Sequence, residues 1–174
     1  MKRVARLTGL VVFVLSALPA AAADEVNGTF TVNGKSTRFE HVYVFWKPSL
    51  FDSTKPDLFV LLSDISIPAD TLPKNDDGVT KMAELVRAGK VHALELHMAP
   101  AARGLDPGEN VAVYHVGLSP ARHGMSGMHV FEAKVFDDKT IDASARTDGE
   151  KVSDGVRWSY EVRLKVTIPP RPTS

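Results

Sequence analysis

The sequence predicts an all-β, mainly antiparallel fold, in the form of a single-domain β-sandwich with one short helix. The clearest evidence is Val156–Ile168, where apolar and polar residues alternate without interruption. Successive side chains of a strand point to opposite faces, so this segment predicts a strand with one face on a core and the other in water. We expect Trp158 and Leu164 to be buried on one face. Arg157 and Arg163 should be exposed on the other.

The first 23 residues have the features of a secretory signal peptide. A short basic stretch precedes the apolar run Leu10–Leu18, and the small residues Ala20–Ala23 follow where signal peptidase would cleave. The apolar run is too short to cross a bilayer, which takes about 20 residues. We therefore expect residues 1–23 to be removed and the protein to be periplasmic or secreted, with no transmembrane segment after cleavage.

Composition excludes several partners and chemistries. The chain has no cysteine, so disulfides, thiol catalysis and attachment of a lipid to cysteine are excluded. The predicted signal peptide holds three of the 21 basic residues and none of the 21 acidic ones, which leaves the rest of the chain slightly acidic. A nucleic-acid surface needs a basic patch, so we expect no nucleic-acid partner. The length suits one domain, residues 24–168, followed by a flexible tail, residues 169–174.

A hairpin is predicted soon after the signal peptide. Asn33-Gly34 favours a type I′ turn because both residues readily adopt positive φ angles. This turn joins a strand at Thr29–Val32 to a return strand that we expect to run over Lys35–Trp46, where the sequence becomes aromatic and β-branched. The next apolar segment, Leu58–Ile67, has apolar residues on both faces and predicts a strand buried on both sides.

One helix is predicted, at residues 79–88. Apolar residues recur at helical spacing between Val79 and Val86, and Gly89 follows where a left-handed C-terminal cap belongs. Further strands are expected at Val91–Met98, Val111–Leu118, Met128–Phe136 and Thr140–Arg146. Many short strands separated by turns are typical of a β-sandwich, with an immunoglobulin-like topology as one form of it and a flattened barrel as the alternative.

The richest group of metal-binding residue types lies between His123 and His129. This segment holds two histidines and two methionines among seven residues, and its glycines let the backbone bend. Imidazole and thioether groups are the ligands that a protein without thiols offers to copper. We expect a loop over residues 119–127, and copper binding there is one hypothesis for the function. The candidate metal ligands are His97, Met98, His123, Met125, Met128 and His129.

Catalytic signatures are absent from the sequence. The residues around Ser126 lack the second glycine of a nucleophile elbow, and no helix is predicted after them. Adjacent aspartates at 76–77 and 137–138 lie in predicted turns, where aspartate bonds nearby backbone amides. We assign no catalytic residue. An unrecognised hydrolase remains as a further hypothesis, because residues that are distant in sequence can converge in the fold.

Most aromatic residues are expected in the core, with two exceptions. Trp46 and Phe51 flank a proline-containing loop and are the candidates for an exposed ligand-binding surface. The leading hypothesis is an exported, non-enzymatic β-sandwich that binds a protein, a glycan or a small molecule. A periplasmic copper-binding protein is the first alternative, with copper as its cofactor.

Overall fold

The computed structural model describes residues 24–49, 54–98, 100–101, 104–105, 110–118, 122–126 and 129–172. Within these residues the chain is mostly β-strand, with one helix, α1, at Asp76–Arg87. The strands in chain order are β1 (Glu25–Val32), β2 (Lys35–Arg38), β3 (His41–Pro48), β4 (Pro56–Ser63), β5 (Ala93–Met98), β6 (Pro100–Ala101), β7 (Gly104–Leu105), β8 (Asn110–Tyr114), β9 (Arg122–Ser126), β10 (His129–Phe136), β11 (Thr140–Thr147), β12 (Lys151–Ser153) and β13 (Val156–Thr167). The all-β class is confirmed.

The strands form two packed antiparallel sheets, which confirms the β-sandwich. The first sheet has the order β10-β11-β13-β1-β2, and β12 also pairs with β13. The second sheet has the order β3-β4-β5-β8-β9, and β6 and β7 form a separate two-stranded ribbon. The second sheet is a meander of strands taken in chain order. This connectivity does not show an immunoglobulin topology, in which Greek-key connections distribute the strands between the sheets.

The chain crosses from the first sheet to the second at Phe39 and Glu40. The backbone N–H of Phe39 donates to the carbonyl of Gly28 in β1 at 3.0 Å, and the N–H of Glu40 donates to the carbonyl of Ser63 in β4 at 2.9 Å. Consecutive amides therefore bond to different sheets. The single return strand predicted over Lys35–Trp46 was wrong, because the chain changes partners in the middle of it and forms β2 and β3.

Strand β13 crosses the centre of the first sheet, between β11 and β1. Trp158 and Leu164 are buried, whereas Arg157 and Arg163 are exposed, as the alternation predicts. The buried face packs against β4, β5 and β8 of the second sheet to form the core between the sheets. Burying these side chains contributes about 25 cal/mol per Å² of apolar surface, which is the main term that stabilises the sandwich.

Strand β4 is buried on both faces, which also agrees with the sequence. Leu58, Val60 and Leu62 face the core between the sheets, and Phe59 and Leu61 belong to a second apolar cluster on the opposite face. Helix α1 covers this second cluster, so the sandwich has a third layer over part of the second sheet. The helix explains why β4, a strand of an antiparallel sheet, carries apolar side chains on both of its faces.

Helix α1 begins and ends at capping residues. The side chain of Asn75 accepts a hydrogen bond from the backbone N–H of Gly78 at 2.9 Å, which sets the start of the helix before residue 79. Gly89 follows the helix with a φ of +65°, the left-handed conformation predicted for it. No helix in the described part of the chain has the length and apolar character needed to cross a membrane.

Tyr160 places a hydroxyl group in the core between the sheets. No group among the described residues lies within hydrogen-bond distance of its Oη, and burial raises the pKa of this hydroxyl well above its usual value. We expect Tyr160→Phe to leave the free energy of unfolding unchanged or to raise it by about 1 kcal/mol, because an unbonded buried hydroxyl costs desolvation without compensation. Urea unfolding measures the effect. A clear loss of stability would contradict the prediction.

Candidate functional site

A large open groove, about 980 Å³ in volume, runs over the outer, polar face of the first sheet. Strands β1, β10, β11 and β13 form its floor, and the start of β3 forms one side. Most of its lining residues are polar or charged. We call it the charged groove. The lining residues that carry the argument below are Asn27, Tyr43, Glu132, Asp142, Arg163 and Lys165.

The same alternation that builds the core also builds the charged groove. In β13, Val162 and Leu164 are buried, so Arg163 and Lys165 stand on the opposite face. Strand β11 repeats the pattern, with Ala143 buried and its neighbours partly exposed. Because the strands are aligned side by side, their polar positions combine into one continuous surface.

The cross-strand register arranges the charges of the groove in rows. In one row, Lys165 stands between Glu25 of β1 and Asp142 of β11. In the next row, Arg163 stands between Asn27 of β1 and a serine of β11. Opposite charges in directly opposed positions of a sheet attract each other and partly cancel. The groove therefore offers hydrogen-bond donors and acceptors side by side, with five carboxylates and three Lys or Arg side chains in its lining.

Tyr43, in the first part of β3, lies at the side of the charged groove. Its hydroxyl accepts a hydrogen bond from the backbone N–H of Ile67 at 2.7 Å, and its ring is half-buried against the cluster under α1. These contacts hold the ring in one position.

A buried ion pair lies on the covered face of the second sheet. Lys47 Nζ is 3.2 Å from Glu95 Oε1, and the Tyr114 hydroxyl donates to the other carboxylate oxygen at 3.3 Å. The same ammonium group lies 3.7 Å from the centre of the Phe59 ring, in a cation–π contact. The side chains of Lys47 and Glu95 are 9% and 1% exposed. The pair is therefore largely shielded from water.

Beside this ion pair lies a buried histidine with a carboxylate partner. His97 Nε2 is 2.7 Å from Asp57 Oδ2, and the His97 ring stacks on Phe59 with centres 4.5 Å apart. In the neutral imidazole this bond places the proton on Nε2 and leaves Nδ1 as an acceptor. Nδ1 is buried and has no hydrogen-bond partner among the described residues. A carboxylate orients histidines in this way in acid–base and metal sites.

A second histidine–carboxylate pair closes one end of the sandwich. Asp64, His92 and His115 come just beyond the last paired positions of β4, β5 and β8, and we call them the end triad. Asp64 accepts from the His92 backbone N–H at 2.8 Å, and its other oxygen is 2.7 Å from His92 Nδ1. The two imidazole rings have centres 4.7 Å apart, and His115 also contacts the edge of the Phe30 ring. At this end of the second sheet, polar side chains therefore lie next to the last apolar residues of the core.

His97 and Met98, two of the predicted metal ligands, do not converge. As adjacent residues of β5 they face opposite sides of the second sheet. Met98 is packed in the core between the sheets, and His97 is bonded to Asp57 on the covered face. Within the described residues, no group of three or more His, Asp and Glu side chains is arranged to hold a metal ion.

The predicted loop that carries the other metal ligands is in part a strand. Residues Arg122–Ser126 form β9 and pair with β8, so the prediction of a loop over residues 119–127 was wrong there. His129 begins β10, in the other sheet. Met128, and the side chains of His123 and Met125, lie outside what the structure describes. Copper binding by this segment stays a prediction.

Trp46, one of the two predicted ligand-contact residues, is half-buried and contacts the C-terminal segment. Its Nε1–H donates to the carbonyl of Pro169 at 2.9 Å, and the guanidinium group of Arg171 lies 5.6 Å from the centre of its ring. Phe51, the other predicted residue, lies outside the described residues. The chain itself therefore covers part of the surface that the sequence suggested for a ligand.

Comparison with protein-family models, curated proteins and solved structures finds no match for this chain. The fold and the site therefore define the protein only as a class: a β-sandwich with a charged groove on its first sheet and a helix over its second.

Proposed function

We propose that this chain is an exported binding protein, and that its charged groove holds a neutral ligand rich in hydroxyl groups, of the glycan type. The observation that carries the proposal is the concave polar surface made by β1, β10, β11 and β13. Its volume of about 980 Å³ matches the upper end of ordinary ligand pockets, which measure roughly 300–1,000 Å³. The sequence supports export through the signal-peptide pattern of its first residues.

The chemistry of the rows favours hydroxyl groups over strongly charged ligands. A hydroxyl both donates and accepts, so it can bridge a cation and a neighbouring carboxylate such as Lys165 and Asp142. The lining holds both carboxylates and basic side chains, so a highly charged ligand of either sign would meet groups of its own sign, which costs binding free energy. Asn27 adds an amide that donates and accepts at once.

The test is isothermal titration calorimetry of residues 24–174 with cellohexaose, maltohexaose and chitohexaose. We expect at least one of them to bind, and Arg163→Glu to weaken that binding about tenfold or more, because a hydrogen bond to a charged group contributes about 1.5–3 kcal/mol. Arg157→Glu is the matched control, since Arg157 lies exposed on the same face of β13 but outside the groove lining. It should bind like the unmodified protein.

Two results would overturn the proposal. The first is the absence of binding to all three oligosaccharides at millimolar concentration. The second is an equal loss of affinity in the Arg163→Glu and Arg157→Glu variants, which would show that general surface charge and not the groove is responsible.

A further inference from the structure

The imidazole ring of His115, which can take up a proton, accepts a hydrogen bond within the turn that follows β8. The backbone N–H of Gly117 donates to His115 Nδ1 at 2.9 Å, and the N–H of Leu118 donates to the His115 carbonyl at 2.9 Å. Leu118 is buried and belongs to the core between the sheets. The turn after β8 therefore has His115 of the end triad at one end and Leu118 of the core at the other. A hydrogen bond to the imidazole nitrogen Nδ1 of His115 helps to hold this turn.

The hydrogen bonds assign different roles to the two histidines of the end triad. A nitrogen that receives the Gly117 N–H must carry a lone pair, so neutral His115 bears its proton on Nε2. His92 has the opposite arrangement, because Nδ1 faces the Asp64 carboxylate and must carry a proton to bond it. Protonation of His115 would convert Nδ1 from an acceptor into a donor that faces another donor.

We propose that His115 is a proton-operated switch: when Nδ1 takes up a proton, the Gly117 hydrogen bond is lost and the turn His115–Leu118 opens. The imidazolium cannot accept from the amide, so the two N–H groups repel each other and the ring or the turn must move. Opening the turn weakens the attachment of Leu118 to the core. Acid therefore loosens this end of the sandwich first.

The surroundings of His115 oppose its protonation in the folded state. Burial lowers the pKa of His115, the electrostatic effect of the neighbouring His92 lowers this pKa further, and Asp64 partly offsets both. From the first sheet the ring is faced by Phe30, which does not titrate. Among the described residues, the titratable groups that act on His115 are thus His92 and Asp64.

The sign of the pH dependence follows from this lowered pKa. The unfolded chain takes up the proton near the ordinary pKa of 6.5, whereas the folded chain takes it up only at lower pH. Between these two values the unfolded state binds more protons, so stability falls as the pH is lowered below 6.5. One such group changes the unfolding equilibrium constant by up to about tenfold per pH unit.

Amide NMR of the protein from about pH 7.5 to about pH 5, where an ordinary imidazole changes charge, tests the switch. We expect the Gly117 amide signal to shift together with the titration of the His115 ring. The hydrogen-exchange protection factors of the Gly117 and Leu118 amides should fall about tenfold on acidification, which corresponds to about one pH unit of linkage. In His115→Asn the transition should vanish, because the Asn side-chain oxygen accepts from the amide two residues on and does not titrate.

His41→Asn is the control, since His41 lies in β3 and has no place in the end triad. It should keep the transition. A Gly117 amide that stays unchanged while the His115 ring titrates would overturn the proposal. So would a transition that survives in His115→Asn, because the responsible group would then be another one.

Discussion

Replacing Leu62 with aspartate is expected to prevent folding. Leu62 lies near the C-terminal end of β4, is 0% exposed and faces the core between the sheets. A carboxylate at this position would have no polar partner among its apolar neighbours, and an unpaired buried charge costs several kcal/mol or more. The whole stability of a domain is about 5–15 kcal/mol. Circular dichroism and urea unfolding of the purified Leu62→Asp variant give the measurement.

Ile65→Asp is the matched control for this prediction. Ile65 follows the same strand and is 39% exposed, so its replacement by the same charged residue should change stability by no more than about 0.5 kcal/mol. A Leu62→Asp protein that unfolds cooperatively at the urea concentration of the unmodified chain would contradict the position of β4 in the core.

Glu95→Ala is expected to cost about 3–5 kcal/mol, the second large effect. The substitution removes the carboxylate that lies 3.2 Å from Lys47 Nζ, and the Lys47 side chain is 9% exposed. It also removes the carboxylate oxygen that accepts a hydrogen bond from the Tyr114 hydroxyl at 3.3 Å. Most of this loss of stability comes from the lysine charge that stays buried. In the intact pair, the desolvation penalty already offsets much of the electrostatic attraction.

A double-variant cycle in urea separates these contributions. Lys47→Met combined with Glu95→Ala removes both charges, so the double variant should lose clearly less stability than the sum of the two single losses. The control is Glu150→Ala, because Arg157 and Glu150 are separated by the same 3.2 Å but are 67% and 51% exposed. That pair should contribute about 0–1 kcal/mol. Equal effects of Glu95→Ala and Glu150→Ala would contradict the shielding of the buried pair.

Local patterns in the sequence predict three strands of the groove floor, β10, β11 and β13, but not the first half of β1, because the predicted strand began only at Thr29. The alternation in Val156–Ile168 is enough to identify β13, its buried face and its polar face. What it cannot provide is the register with neighbouring strands. Lys165 becomes part of a charged row only because β1 and β11 place Glu25 and Asp142 opposite it. Those contacts depend on the fold as a whole, so the polar face alone suggests no more than a solvated surface.

Two of the elements that the sequence predicts wrongly have a common physical cause. The segment Lys35–Trp46 has uniform strand propensity, and the change of sheet at Phe39 is set by hydrogen bonds to Gly28 and Ser63. Likewise, β9 contains a glycine and looks like a loop, but pairing with β8 fixes it as a strand. In both places long-range pairing outweighs local propensity.

The two histidine–carboxylate pairs carry no local sequence signal. Asp57 and His97 lie on different strands, Asp64 and His92 flank different strands, and neither pair has a characteristic spacing. One hint is present for Asp64, because a polar residue after the apolar run of β4 predicts the point where the strand leaves the core. Which residues it meets there follows from the order of β4, β5 and β8.

The most direct test of the proposed function is an amide NMR map of residues 24–174 titrated with cellohexaose, maltohexaose and chitohexaose. If the groove is the site, the amide chemical-shift changes should cluster on the neighbouring strands β1, β11 and β13, around Asn27, Asp142 and Arg163. They should saturate with one oligosaccharide per chain. Shifts confined to other surfaces, such as β9 or the Trp46 region, or no shifts with any of the three, would show that the charged groove is not the binding site.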